Sequence, residues 1–273
     1  MELADAPRVR LLGGEFDLVT PAQVLAVTQQ VIETRGLAVI ANHNAHSLYL
    51  CRRSAAMRAF FAQADLIEVD STPVIAWGRL LGVPVSRAHR STYLDWREDF
   101  WRLADAHGWR VFYLGGAPGV ADTAMSSLSA QWPGARLAAQ HGYIDAAAGS
   151  SDNAALLARI AAFDPDVIFV GMGMPRQEQW ILDHRAQLAR GAVFSVGAAY
   201  DYEAGVQSAA PRWMGRAGVE WLYRLATQPR RLAFRYLVEP WFLAPAALAD
   251  VRDRLMRRGP AGAATLARAR RTS

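Results

Sequence analysis

Asp70 closes the apolar run Leu66–Val69 and is followed by two hydroxyl residues, Ser71 and Thr72, then by Pro73. A carboxylate released at a strand end, beside hydroxyls rather than a partner arginine, can take the proton of an attacking hydroxyl. Asp70 is therefore the candidate general base. Asp also caps helices well, so capping a helix from Pro73 is the competing role, and the two are compatible. Other apolar runs end in similar punctuation. Asn42 and Asn44 follow Leu37–Ala41, and Gly115 and Gly116 follow Val111–Leu114. Gly171 and Gly173 follow Val167–Val170, with Pro175, Gln177 and Glu178 beyond them, and Asp201 follows Ala192–Val196 on a short loop. The turns LGGAPG and GMGMPRQE each aim backbone N–H groups and a helix start at one point, which suits a phosphate. Taken singly, each is better explained as a tight strand-to-helix turn; two such turns on one edge bring phosphate binding level with that reading. Neither completes GxGxxG and no ribose-binding acid follows, which counts against a dinucleotide site.

The elements that must position these residues alternate along the chain. Runs at Val9–Leu12, Leu37–Ala41, Leu66–Val69, Val111–Leu114, Val167–Val170 and Ala192–Val196 read as strands. Helical periodicity fills Pro21–Thr34, Thr92–His107, Val120–Gln131 and Pro175–Leu188. The pattern predicts an α/β fold, a Rossmann-like, mainly parallel sheet with helices on both faces. In such a sheet ligands bind beyond the carboxyl ends of the strands, where all the residues named above fall. Leu11–Val19 predicts an edge hairpin. From Pro211 the chain reads as a helical C-terminal appendage, and beyond Gly259 it turns Ala/Arg/Gly-rich and frays. The expected organisation is an α/β catalytic domain over 1–208, a basic, aromatic helical appendage over 209–258 and a flexible tail over 259–273.

Composition narrows the chemistry. The 273 residues contain no lysine, which removes Schiff-base and P-loop lysine chemistry. Residues 1–205 hold 17 Arg against 21 Asp plus Glu, and residues 206–273 hold 13 Arg against 4 acids. A basic C-terminal part favours a phosphate-bearing partner: anionic lipid, a pyrophosphate-linked substrate or nucleic acid. One cysteine, Cys51, excludes a disulfide framework. No run of about 18 apolar residues suggests a membrane span, and the first residues lack a secretory pattern, so a cytoplasmic location is expected. Asp164 and Asp166 precede their strand, at the wrong end of the sheet, and the six histidines lack ligand spacing. No metal site is expected. In the appendage, Trp213, Trp221, Tyr223, Phe234, Tyr236, Trp241 and Phe242 alternate with arginines. This suits an interfacial helix pair on an anionic membrane, or core packing with a solvated basic face.

The blocks NHNAHSL, FYLGGAPGVA, WPGARLAAQHGYID, DPDVIFVGMGMPRQEQW and VGAAYDYEAG, with APRWMGRAGVEWLYRL and PRRLAFRYL, run in order through residues 9–240. In them the chain resembles the WecG/TagA/CpsF glycosyltransferases, glycosyltransferase family 26. The resemblance implies transfer of a sugar from a UDP-sugar to a polyprenyl-diphosphate-linked sugar in bacterial surface polysaccharide synthesis, with inversion and no required metal or cofactor. It implies Asp70 as base, a substrate pocket with Asn42, Asn44, Gln177 and Asp201, and Arg224, Arg231 and Arg235 from the appendage; Gly115, Gly116 and Gly171 join the substrate-binding set from the reading of the glycine turns. It further implies peripheral attachment to anionic lipid at the inner face of the plasma membrane, no nucleic acid partner, and room for an oligomer. The chain departs from the family pattern at Asp70–Ser71, at Arg87-Ala-His-Arg90-Ser-Thr92 and at Ala209-Ala210-Pro211. These departures leave donor and acceptor sugars open and lean toward a GumM-like exopolysaccharide branch. A non-catalytic anion- or nucleic-acid-binding module and a soluble nucleotide-sugar-modifying enzyme are the competing readings.

Overall fold

The computed structural model describes residues 6–207, 210, 214 and 219–258, the side chains of Glu220, Arg231, Arg257 and Arg258 excepted. The boundary expected at 208/209, the segment with Arg212, Trp213 and Arg216, and the tail from residue 259 lie outside the described residues. The chain opens with β1 (Arg8–Leu11) and β2 (Gly14–Asp17), then α1 (Pro21–Glu33), β3 (Leu37–His43), α2 (Ala45–Arg53) and α3 (Ala55–Gln63). Next come β4 (Leu66–Val69), α4 (Thr72–Leu80), α5 (Tyr93–His107), β5 (Arg110–Gly115), α6 (Val120–Gln131), β6 (Arg136–Gln140) and α7 (Ser151–Phe163). The α/β part ends with β7 (Val167–Gly171), α8 (Arg176–His184), β8 (Gly191–Ser195) and α9 (Ala199–Glu203). The C-terminal part is helical: α10 (Glu220–Thr227), α11 (Pro229–Leu237), a 3-10 turn Glu239–Leu243 and α12 (Ala244–Arg258).

Six strands form one sheet in the order β4-β3-β8-β7-β5-β6, every pair parallel. The two-residue period of a strand divides their side chains between two layers. Val167 and Phe169 join Val24, Trp96, Phe100 and Leu128 from α1, α5 and α6 on one face. Ile168 and Val170 join Phe60, Leu156 and Trp180 from α3, α7 and α8 on the other. Near-continuous apolar strands follow from burial on both faces. Local chemistry starts the helices in the expected way: Thr20 and Gln23 form a capping box on α1, and Ser150 caps α7.

Three details differ from the sequence expectation. The N-terminal hairpin is a separate antiparallel sheet, and its Asp17 carboxylate holds it beside β4 by accepting from the Ile67 N–H at 2.8 Å. Strand β6 is additional; as an edge strand it is only partly buried, so it carries no long apolar run. Asp201 stands on the short helix α9, not on a loop. At the amino end of the sheet Arg190 pairs with Asp164 at 2.7 Å and Asp166 at 2.5 Å, so those acids are structural. Among the described residues no helix is long and apolar enough to cross a membrane.

Gly171 is where strand ends approach most tightly. A methyl group there would lie 2.6 Å from the Tyr113 hydroxyl and closer still to the Gly197 carbonyl oxygen, part of the backbone. Gly171→Ala is therefore expected to lower unfolding free energy by about 1–3 kcal/mol, read by urea titration, as overpacking does elsewhere.

Candidate functional site

The carboxyl ends of the strands open onto one cleft of about 730 Å³, roofed by the C-terminal helices. Asp70 lies on its wall. The N-cap of α4 is Ser71, whose hydroxyl accepts from the Val74 N–H at 3.4 Å, so Asp70 is not the cap. Its backbone N–H donates to the His43 carbonyl at 2.9 Å, fixing the strand end, while its carboxylate faces the cleft and the Arg235 charge.

The asparagines have distinct tasks. Asn42 donates from Nδ2 to the Ser195 carbonyl at 2.8 Å, tying the end of β3 to the end of β8. Asn44 caps α2, its Oδ1 accepting from the N–H groups of His46 and Ser47 at 3.0 and 3.1 Å. The same oxygen lies 3.4 Å from Nη2 of Arg235, reaching in from α11. Beside it His46 Nδ1 meets Glu239 Oε2 at 2.7 Å. The appendage is thus joined to the strand ends by two polar contacts, and Leu232 of α11 is buried between them and the cleft. Burial pulls the Arg235 guanidinium below its ordinary value, and neighbouring Arg224 adds to this; Asp70 and Glu239 oppose it. Two arginines and two carboxylates, Asp70 and Glu239, therefore meet on this side of the cleft.

Both glycine turns line the cleft. Gly116 and Ala117 contribute from the first, and Gly171, Met172 and Gly173 from the second, with Arg176 at the start of α8. Gly115 stands behind this lining, where a Cβ would strike Gly171. Gln177 is fully buried, and its amide serves the turns themselves. Its Oε1 accepts from Gly173 N–H at 3.2 Å and Gly197 N–H at 3.1 Å, and its Nε2 donates to Glu178 Oε1 at 2.7 Å. Glu178 keeps one buried oxygen without a hydrogen-bond partner, and burial pushes its carboxyl up to about 7. Asp201 and Tyr202 line the cleft from α9. Of the three appendage arginines, Arg224 and Arg235 reach the cleft; the Arg231 side chain lies outside those described.

Cleft residues that sequence reasoning passed over are His46, Glu68, Arg90, Thr92, Tyr143, Arg176 and Glu239. Glu68 carried a readable signal, an acid at an inward position of an otherwise apolar strand. Arg90 and Thr92 showed only as a departure from the family pattern, because they lie between elements and reach the site through a bridge of Arg90 to Val69. Cys51 is not a nucleophile here: burial pushes its thiol up to about 12. His43, stacked on Phe61 at 3.5 Å between ring centroids, is pushed down to about 3 by burial and stays neutral. Among the described residues no cluster of His, Cys, Asp or Glu has the makeup of a metal centre.

With that geometry in view, comparison with known proteins is specific. The sequence profile of the Glycosyl transferase WecG/TagA/CpsF family matches residues 9–257, which takes in every strand-end residue and the appendage arginines. Among similar proteins are the N-acetylglucosaminyldiphosphoundecaprenol N-acetyl-beta-D-mannosaminyltransferases of Staphylococcus aureus strains NCTC 8325 / PS 47, COL and MRSA252. Each is 29% identical over 241 residues, covering 85% of this chain and 89% of the relative.

The buried Glu178 makes stability depend on pH. Its carboxyl is held above the ordinary value, so its contribution is complete below about pH 4.5 and is lost as pH rises through about 7. Glu178→Gln is expected to flatten the fall in melting temperature between pH 5 and 8.5. By pH 8.5 this corresponds to a difference on the order of 2–3 kcal/mol. Thermal melts across that range check it.

Proposed function

Since the match runs through residues 9–257, the chain belongs to the WecG/TagA/CpsF family of glycosyl transferases, and on that premise we propose the reaction its cleft performs. A UDP-sugar donor lies with its diphosphate between the glycine turns and Arg224 and Arg235. A polyprenyl-diphosphate-linked sugar presents its hydroxyl to Asp70. The observation that carries the reading is the meeting, in one cleft, of Asp70, two N–H-rich turns and two arginines from a separate helical segment. As the acceptor oxygen bonds to the anomeric carbon, Asp70 takes its proton. The bond from that carbon to the diphosphate oxygen breaks on the opposite face, and UDP leaves with the electron pair, inverting the centre. Arginines at the leaving diphosphate neutralise the charge that develops there, the role a metal ion fills in other transferases, so the reading requires no metal. The relatives' names support an N-acetylhexosamine donor and an N-acetylglucosaminyl-diphosphate lipid acceptor. A hexose donor for an exopolysaccharide is the competing assignment.

The acceptor's lipid tail calls for a membrane. Trp241, Leu248 and Leu255 are 76, 70 and 65% exposed, an apolar surface on the 3-10 turn and on α12, which also carries Arg252 and Arg254. Such a surface suits peripheral attachment to anionic lipid, and the reading puts the protein at the cytoplasmic face of the plasma membrane.

UDP release should be measured over a panel of UDP-sugars paired with short-chain lipid-diphosphate sugars. It is expected to depend on acceptor, to survive EDTA, and to fall about 10²–10⁴-fold in Asp70→Asn, the range for loss of a general base. Transfer by Asp70→Asn at the wild-type rate would remove Asp70 from that role. Trp241→Ser with Leu248→Ser is expected to abolish sedimentation with phosphatidylglycerol vesicles while leaving turnover on a water-soluble acceptor. Undiminished sedimentation would refute the attachment.

A further inference from the structure

Two carboxylates on one strand face, two residues apart, would both point at a diphosphate. Asp70 and Glu68 stand in that relation on β4 and its end, and both line the cleft. Their environments differ. Glu68 is only 2% exposed, and its Oε1 accepts from the Ser91 hydroxyl and, at 3.2 Å, from the Trp96 indole N–H. Ser91 in turn donates its backbone N–H to the Val69 carbonyl at 3.0 Å, and Arg90 bridges to Val69. The segment Arg90–Thr92 therefore lies along the open edge of β4. Arg90 and Thr92 reach the cleft, and both are held to Asp95, the guanidinium at 3.1 Å and the hydroxyl at 2.9 Å.

We propose that Glu68 is a positioning residue for the transfer. Through Ser91 and Trp96 it clamps the Arg90–Thr92 segment onto β4 as the wall beside Asp70. The proposal rests on the UDP-sugar reading. Apart from the Ser91 N–H to Val69 carbonyl bond and a parallel bridge one residue pair long, Glu68 supplies the side-chain hold of β4 on this wall, and β4 is the last strand of the sheet on that side. The groups around Glu68 are Asp70 on its own strand, Arg90 on the clamped segment and Tyr93 and Asp95 at the start of α5. β3 sets the uncharged Asn42 opposite it in register. Arg224 and Arg235 approach from the appendage side of the cleft. Burial pushes the Glu68 carboxyl up to about 8; the bonds from Ser91 and Trp96 oppose this, while Asp70 and Asp95 add to it. At neutral pH it is uncharged, and as pH rises through that value a second negative charge appears beside the donor diphosphate.

The experiment is UDP affinity by calorimetry, with kcat/KM for transfer alongside, from pH 6 to 9, for wild type, Glu68→Leu, Glu68→Gln and Ser91→Ala. Glu68→Leu is expected to weaken UDP binding at least tenfold and Ser91→Ala about fivefold. Glu68→Gln, whose amide oxygen can accept both bonds, is expected to restore affinity to within threefold at pH 6.5. It should also abolish the loss of affinity that wild type shows above pH 8. Circular dichroism identifies a variant that fails to fold, and Ser91→Ala and Glu68→Gln then carry the test. Equal affinity in Ser91→Ala and wild type, or an alkaline loss retained in Glu68→Gln, would overturn the positioning role. Wild-type UDP binding with this pattern but no transfer to any acceptor would instead overturn the transferase reading and leave the positioning role standing.

Discussion

The cleft depends on one buried amide. Gly173 and Gly197 both adopt positive φ, at 81° and 56°, so their turns aim N–H groups inward instead of into a ladder. Left alone, those donors would be unsatisfied at the bottom of a cleft, a cost comparable to a lost hydrogen bond each. The Gln177 oxygen takes both, and its NH₂ end is held by Glu178. The turns after β7 and β8 are thereby fixed at the reach of one side chain. Asn42 does the same between β3 and β8 by donating to Ser195. Three adjacent strand ends are stitched by side chains, and Asp70 and Asp201 line the cleft above them.

Around that rigid base the charges are arranged asymmetrically. Glu68 and Asp70 come from β4 and its end, whereas Arg224 and Arg235 come from helices laid over the sheet. Glu68 and Glu178 are buried deeply enough to lose their charge near neutral pH, whereas Asp70 sits half-exposed at the cleft wall. Arg224 and Arg235 arrive on helices that the α/β part does not need for its own core. Leu232 is one of the few appendage residues that is fully buried. The contacts of Arg235 with Asn44 and of His46 with Glu239 tie the two parts together at the site itself. The segment whose apolar residues remain largely exposed is also the one that supplies Arg224 and Arg235 to the cleft.

The sequence made much of this legible. Apolar runs of four to five residues alternating with helical periods dictate a parallel sheet, because only crossover helices can cover both faces of such strands. A parallel sheet then sends every strand end to one edge, so Asp70, Asn42, Asn44, Gly116, Gly171 and Asp201 could be assigned to one site from order alone. Pairing is less legible. Arg90, Thr92 and Glu239 carry no local pattern, since their place follows from which segment lies on which edge. The task of Gln177 also escaped: a glutamine after a glycine turn reads equally as ligand or as brace. Its two N–H partners lie 4 residues before it and 20 after it. By itself, then, the sequence determined the layers, the edge that carries the site and the residue types available there, because side-chain periodicity and strand direction are local properties. Tertiary structure alone decided which polar groups are taken up by the protein and which remain for a substrate, because burial and hydrogen-bond satisfaction depend on neighbours far apart in the chain.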